Sequence, residues 1–430
     1  MMDKPYHRCQ NSMDQKRFYI SQQIASLRAF GEVILLESQK KDHPASQRSF
    51  IAGKPKAWIK AKGTQIECLR NGEVEIFDRN PFVALQEFYA SEKDWIFGYL
   101  GYDLKNHIEA LSSNNEEVIE AADLFFMVPE VLIEVNETGD MEYLRGEPTS
   151  IDKNWYPSDV KLESKNQIKK RSYLKKIYQA KKRIREGEFY EINISHPIQY
   201  QFKGDSLDLY NKMEGIGAVP FAAYVYMDEV QICCASPERF IQKRGDKIIS
   251  QPIKGTIQRK GNDTIADLQR FMNSEKERAE NLMIVDLVRN DFSRVAQKGS
   301  VKVSKLFEIQ TFETVHQMVS TVEAKVDAGV DVFSIIQACF PMGSMTGAPK
   351  IASMKAIEEL EDYKRGIYSG AIGYIKPDGD FDFNVVIRTA LVQGEKLVYP
   401  VGGAITSDSD PELEWEETLI KARALTRLLD

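Results

Sequence analysis

Two segments of this chain place glutamates where a helix would be expected to bury apolar side chains. Residues 274–287 read as a strong helix, with Ser274 and Glu277 forming a capping box. Glu277, Glu280, Ile284 and Leu287 then share one face at i, i+3, i+7 and i+10. A second helix runs from 411 to the end, with Asp410 as N-cap and Pro411 as first residue. Its apolar stripe is read as Leu413, Glu417, Ile420, Ala424 and Leu428, with Glu414 one turn before Glu417. Carboxylates on an apolar face are costly unless something compensates. Either Glu-x-x-Glu pair alone reads as capping or surface decoration. Two such pairs, each on a buried stripe, are also what a cleft between facing helices would hold. An all-oxygen ligand set completed by water suits Mg²⁺ better than zinc.

The rest of the chain supplies a core and removes several classes. At 430 residues and 43% apolar content it can form two or three domains, or one large intimate fold. A net charge of -7 gives no reason to expect nucleic acid as a partner. The basic stretch 165–185 reads as the solvated face of a helix whose apolar stripe is Tyr173, Ile177, Ala180 and Ile184, stopped at Gly187. Five scattered cysteines without CxxC spacing indicate neither a disulfide frame nor a zinc site, and a reducing cytoplasm fits best. The polar N-terminus lacks the apolar stretch of a signal peptide. The longest apolar run, 124–128, is cut by Pro129, so no membrane span is expected.

Residues 18–150 alternate strands with a few helices, including strands at 33–38 and 95–102, and the polar stretch 145–165 is the best boundary between halves. Strands are read at 188–195, 221–226, 368–375, 381–393 and 397–401, and helices near 274–297, 331–339 and 350–361. Lys254, between Pro252-Ile253 and Gly255-Thr256, sits where a strand meets a tight turn. Its amine can attack carbon only when neutral. With a pKa near ~10.4 about one in a thousand is neutral at pH 7, so burial or a cationic neighbour would have to lower that value. The glycine-rich segment 340–350 leads into a helix whose N-terminus favours an anion, but its spacing is not that of a P-loop. Residues 401–406 read as a second small-residue loop. Arg388 ends an apolar strand, where a guanidinium usually has a carboxylate partner, from the protein or from a ligand.

Taken in order, these segments resemble the chorismate-utilising enzymes, the family of anthranilate, aminodeoxychorismate, isochorismate and salicylate synthases. The resemblance is carried by 187–195, Ser236-Pro237-Glu238-Arg239-Phe240, Pro252-Ile253-Lys254-Gly255-Thr256, 279–291, Val315-His316, 343–350, 365–370 and 409–417. It is dense over a catalytic region at 165–430 and looser over an N-terminal region at 1–150, the two packed as one unit. It implies an α+β fold of two large packed antiparallel sheets with helices outside and the site between. It implies Mg²⁺ on the ring carboxylate of chorismate, with Glu280 and Glu417 as direct ligands and Glu277 and Glu414 acting through water. Tyr368, Arg388, Gly402, Gly403 and Ala404 would hold the substrate carboxylates, joined by Thr256 and Lys421. Ala404 stands where the family commonly has glycine.

Two positions select a branch by resemblance. Isochorismate and salicylate synthases carry a lysine base where this chain has Glu191, and anthranilate synthases usually have alanine where it has Lys254. The aminodeoxychorismate branch, on the path to 4-aminobenzoate and folate, has the lysine. It implies Lys254 as nucleophile at C2, Glu238 as general acid to the 4-hydroxyl and His316 in support. The chain has no GxCxG-like glutaminase nucleophile, so ammonia is expected from a separate glutamine amidotransferase subunit. The nearest alternative is an anthranilate synthase component, and a more distant one is a chorismate-binding regulatory protein without turnover. Residues 35–38 resemble a tryptophan-binding element, for which a plain strand end is the simpler reading.

Overall fold

The computed structural model describes residues 12–39, 48–147, 155–165, 167–215, 217–259, 262–312 and 315–428. The fold is α+β, with antiparallel pairing between all its strands and helices packed outside. Hydrogen bonding joins the sheets into one continuous network. Ser49–Lys62 pairs with Leu124–Val135 along most of its length. Pro55 and Pro129 meet beside a register shift in that ladder, where neither has an N–H to offer. The apolar run at 124–128 therefore continues as a strand through Pro129 to Val135.

The two halves of the sequence are interleaved. Ile96–Leu100 pairs with Leu124–Val135 on one side and Ala371–Ile375 on the other. Gly98 permits this, because a Cβ there would lie 1.9 Å from the Phe125 carbonyl oxygen. Val33–Glu37 likewise pairs with Phe221–Tyr226. The stretch 145–165 contains the end of Met141–Arg145 and the strand Lys161–Ser164, which pairs with Glu191–Lys203. Its residues 148–154 lie outside the described ones.

Helix Lys170–Arg185 buries Tyr173, Ile177 and Ala180, and Gly187 at φ +83° follows its end. Its cations Lys176 and Arg183 are answered by Asp362, Glu188 and Glu359. A large hydrophobic core takes Ile284, Val285, Val288 and Phe292 from helix Glu275–Ser293. The four described cysteines are buried and free. No described helix is long and apolar enough to cross a membrane. In the segment 35–38, Glu37 is bound by Arg17 at 2.5 Å and by the Tyr210 hydroxyl at 2.8 Å, beside a cleft of about 410 Å³.

Candidate active site

Lys254 lies on the strand Ile253–Gln258, whose register against Val315–Lys325 shifts between Ile253 and Thr256. Gly255, at φ +86°, supplies the left-handed backbone that this irregularity needs. The lysine is buried, and its Nζ donates to Glu191 Oε1 at the start of Glu191–Lys203. Burial alone would lower the lysine pKa, but the charge of Glu191, aided by Glu280 and Glu238, outweighs it and the value rises. The expectation of a neutral amine is thus corrected: in the resting pocket Lys254 is an ammonium, and a carboxylate already touches the proton it must lose. The other oxygen of Glu191, Oε2, is buried without a hydrogen-bond partner.

Glu238 shares the cavity, which has a volume of about 160 Å³. Its carboxyl is pushed up to about 7 by burial, with the Ser344 hydrogen bond and the Lys254 charge pulling the other way. The Ser344 hydroxyl donates to Oε1 at 2.7 Å. A carboxyl with that value carries a proton much of the time at neutral pH, as a general acid requires. Ser344 comes from the glycine-rich segment, which the sequence reading treated as a helix-terminal anion cradle. The segment instead forms the 3₁₀ turn Gly343–Met345 and the short strand Gly347–Ala348 against Glu191–Lys203. It places Ser344 and Met345 in the cavity wall.

The two acid-bearing helices both reach this cavity. Glu277 and Glu280 enter it from Glu275–Ser293, and Glu414 and Glu417 from Pro411–Thr426. Ser274 caps the first helix through the Glu277 N–H at 3.4 Å, and Asp410 caps the second through Glu412 and Leu413. The stripe read for the second helix is corrected. Leu413 is 68% and Ile420 50% exposed, whereas Glu414, Thr418, Ala422 and Leu425 are buried. The helix turns a polar edge inward because Ser409 donates to Glu414 at 2.7 Å and Lys421 donates to the Gly402 carbonyl at 2.8 Å. Leu413 and Ile420 instead border a second cleft of about 390 Å³, which shares Thr256, Arg388, Glu417 and Lys421 with the first.

These carboxylates are electrostatically strained. Burial raises Glu280 to about 7, with Glu191 and Glu277 adding to it and Lys254 opposing. Burial and Glu417 raise Glu414, while Lys421, 2.7 Å away, lowers Glu417. Lys276 stands 3.9 Å from both Glu280 and Glu414. No three metal-ligating side chains converge on one point among the described residues. The donor set nevertheless fits a hard divalent cation: four carboxylates line one cavity, and lysine ammonium groups stand among them. Gly403 leaves room beside the set, since a Cβ there would lie 3.2 Å from Glu414 Oε2.

Tyr368, Arg388, Thr256, Gly402, Ala404 and Lys421 line the cavity. Gly403 does not, though its neighbours on both sides do. The segment 401–406, read as a loop, is the end of strand Lys396–Ile405, paired through Gly402, Gly403 and Ala404 to Ser195, Ile194 and Asn193. The strand read across 381–393 is likewise broken, into Phe381–Asn384 and Thr389–Gln393. Arg388 sits in the break at φ +50°, a left-handed conformation that is unusual for a residue with a side chain. Its guanidinium, lowered by burial, has no ion-pair partner among the described residues. A cation held that way in a cavity wall is ready for an anion from outside the chain.

His316 lies behind the cavity wall rather than on it. Its Nδ1 lies 3.0 Å from the Thr311 hydroxyl and its Nε2 3.4 Å from Asp263, and it is absent from the cavity wall. Its neighbour Gln317 faces the cavity, with a buried Oε1 that makes no hydrogen bond and an Nε2 3.5 Å from the Thr256 hydroxyl. Successive strand residues point to opposite faces, so His316 and Gln317 could not both do so. Asn193 repeats the pattern, with an orphaned buried Oδ1 at the cavity wall. Neither amide carried a signal in the sequence beyond its place on a strand.

Comparison with known proteins agrees with this geometry. A model described as chorismate binding enzyme matches residues 31–427. The chain is 30% identical to anthranilate synthase component 1 of Aquifex aeolicus, over 92% of this chain and 89% of that one. It is 31% identical to aminodeoxychorismate synthase component 1 of Klebsiella aerogenes, over 92% and 93%. The crystal structure of anthranilate synthase component I from Streptococcus pneumoniae superposes with a TM-score of 0.77 at 26% identity, covering 91% of this chain and 95% of that one. With a family match over residues 31–427, a range that contains every acid, lysine and arginine of this cavity, the chain belongs to the chorismate binding enzymes.

Proposed function

We propose that this chain aminates chorismate at C4, as component I of an aminodeoxychorismate synthase. The observation that carries the reading is Lys254, a buried amine in contact with the proton acceptor Glu191 and in one cavity with the protonatable Glu238. A nucleophile resting against its own base, with an acid on the same cavity wall, is the arrangement covalent displacement requires.

Arg388 and Tyr368 would bind the substrate's carboxylates, and the orphaned oxygens of Gln317 and Asn193 would accept from its hydroxyl. Glu280 and Glu417, with Glu277 and Glu414, would hold Mg²⁺, which when bound polarises the ring carboxylate. Lys254 passes a proton to Glu191 and bonds to C2. The ring double bonds shift and the C4–O bond breaks, while Glu238 delivers its proton so that water departs. Ammonia then bonds to C4, the double bonds shift back, and the C2–N bond breaks to return Lys254. Ser344 holds the Glu238 carboxyl in place throughout. The ammonia would come from a glutamine amidotransferase subunit, a reading supported by relatives named component 1. A cytoplasmic setting, where free buried cysteines stay reduced, is part of the same proposal.

The test is product analysis with chorismate, an ammonium salt and Mg²⁺. Formation of 4-amino-4-deoxychorismate by the wild type and its loss in Lys254→Ala are expected. Direct release of fluorescent anthranilate by the wild type would overturn the choice of branch. Unchanged amination by Lys254→Ala would remove the covalent step.

A further inference from the structure

The mechanism gives no task to Lys276. It belongs to the helix that carries Glu277 and Glu280, yet it also reaches the other acid-bearing helix. Its Nζ lies 3.9 Å from Glu280 Oε1 and 3.9 Å from Glu414 Oε1. One ammonium therefore spans the two helices at the place where their carboxylates most need positive charge. Lys421 differs: it is tied to Glu417 at 2.7 Å and to the Gly402 carbonyl at 2.8 Å. Among the described residues Lys276 makes only these long ion-pair contacts, and its side chain is 49% exposed. A flexible four-carbon stem at the cavity edge can carry its charge out into water without unpacking anything.

We propose that Lys276 is a placeholder cation, standing between the acid-bearing helices in the metal-free protein and leaving when a divalent cation binds. The inference rests on the magnesium reading above. An ammonium near Glu280 and Glu414 relieves the repulsion between the two helices, so the metal-free pocket stays assembled. It also opposes an entering cation, which must displace it and bear its repulsion. The free protein is thereby a weak metal binder. An anionic substrate adds negative charge to the same cavity and tips the exchange toward the metal, so metal and substrate bind in concert.

The test is a Mn²⁺ titration followed by the electron paramagnetic resonance signal of the free ion, without chorismate, on the wild type, Lys276→Gln and Lys276→Arg. Lys276→Gln should bind Mn²⁺ about tenfold more tightly than the wild type, the order expected of a charge contact that water largely screens. Lys276→Arg, which keeps the charge, should stay within about twofold. Equal or weaker binding by Lys276→Gln overturns the placeholder role and leaves the magnesium reading intact. If no form binds Mn²⁺ with or without chorismate, both fall together. Raising the ionic strength gives a second readout on the same two proteins. The gap between wild type and Lys276→Gln should narrow as salt screens the ammonium, and a gap independent of salt overturns the proposal.

Discussion

The cavity has two cationic walls that are built differently. On the Lys254 wall the charge is answered within the protein, by Glu191 and by the fields of Glu280 and Glu238. On the Arg388 wall it is left open: a strained residue in a broken strand, half-buried, without an ion-pair partner among the described residues. The difference separates two jobs that a positive side chain can do. A lysine with an adjacent base is arranged to exchange a proton and become a nucleophile. An arginine, which keeps its charge at any accessible pH, is arranged to wait for an anion.

Removing each cation should therefore act with opposite sign on the free protein. Lys254→Met leaves Glu191 buried and unpaired, and denaturant titration should show a loss of about 3–5 kcal/mol. The double variant Lys254→Met/Glu191→Gln should recover most of it. If Lys254→Met alone were neutral, the contrast between the walls would be broken. Arg388→Met removes an unanswered charge, so the free protein should keep or gain stability. Its KM for chorismate should rise by an amount worth about 1.5–3 kcal/mol, the value of a hydrogen bond to a charged group.

Glu238 sharpens the comparison through pH. Its folded value of about 7 lies above the ordinary value near ~4.3, so the folded protein binds the extra proton. Stability from that proton is full below about pH 4.3 and is lost as pH rises through 7. Glu238→Gln should be more stable than the wild type at pH 8, by about 1–3 kcal/mol, with the gap closing toward pH 4. Its turnover should fall by about 10²–10⁴ at all pH values, because the acid is gone. The smallest effect belongs to Lys421→Met. It removes a partly exposed pair with Glu417 together with the bond to the Gly402 carbonyl and should cost about 1–2 kcal/mol in a thermal melt.

Much of this site was legible because its chemistry violates burial rules. Acids on helices that must pack, and a lysine in a tight turn, stand out in any sequence. Lys254, Glu277, Glu280, Glu414 and Glu417 drew attention that way and all line one cavity, whereas Glu238, beside them, was reached only through the family resemblance. What was not legible was orientation. His316 was named by resemblance alone, and which of it and Gln317 faces the cavity is a question of strand parity, where one residue of register flips the face. The stripe through Leu413 and Ile420 followed hydrophobicity, but Ser409, Lys421 and the Gly402 carbonyl turn the polar edge of that helix inward. The break at Arg388 had no composition signal, since its flanks are apolar and β-branched on both sides. Pairing across the halves was hidden as well, because Gly98 reveals its purpose only beside the Phe125 carbonyl.

The final helix makes completion of the cavity a late event in the life of each molecule. The wall containing Glu414, Glu417 and Lys421 is contributed more than 150 residues downstream of Lys254. A ribosome that has already delivered Lys254 and Glu238 must still translate that helix before either faces a complete pocket. A half-made chain carries the amine with Glu191, Glu238, Glu277 and Glu280 but lacks this last wall, so the cavity closes only when the end of the chain packs.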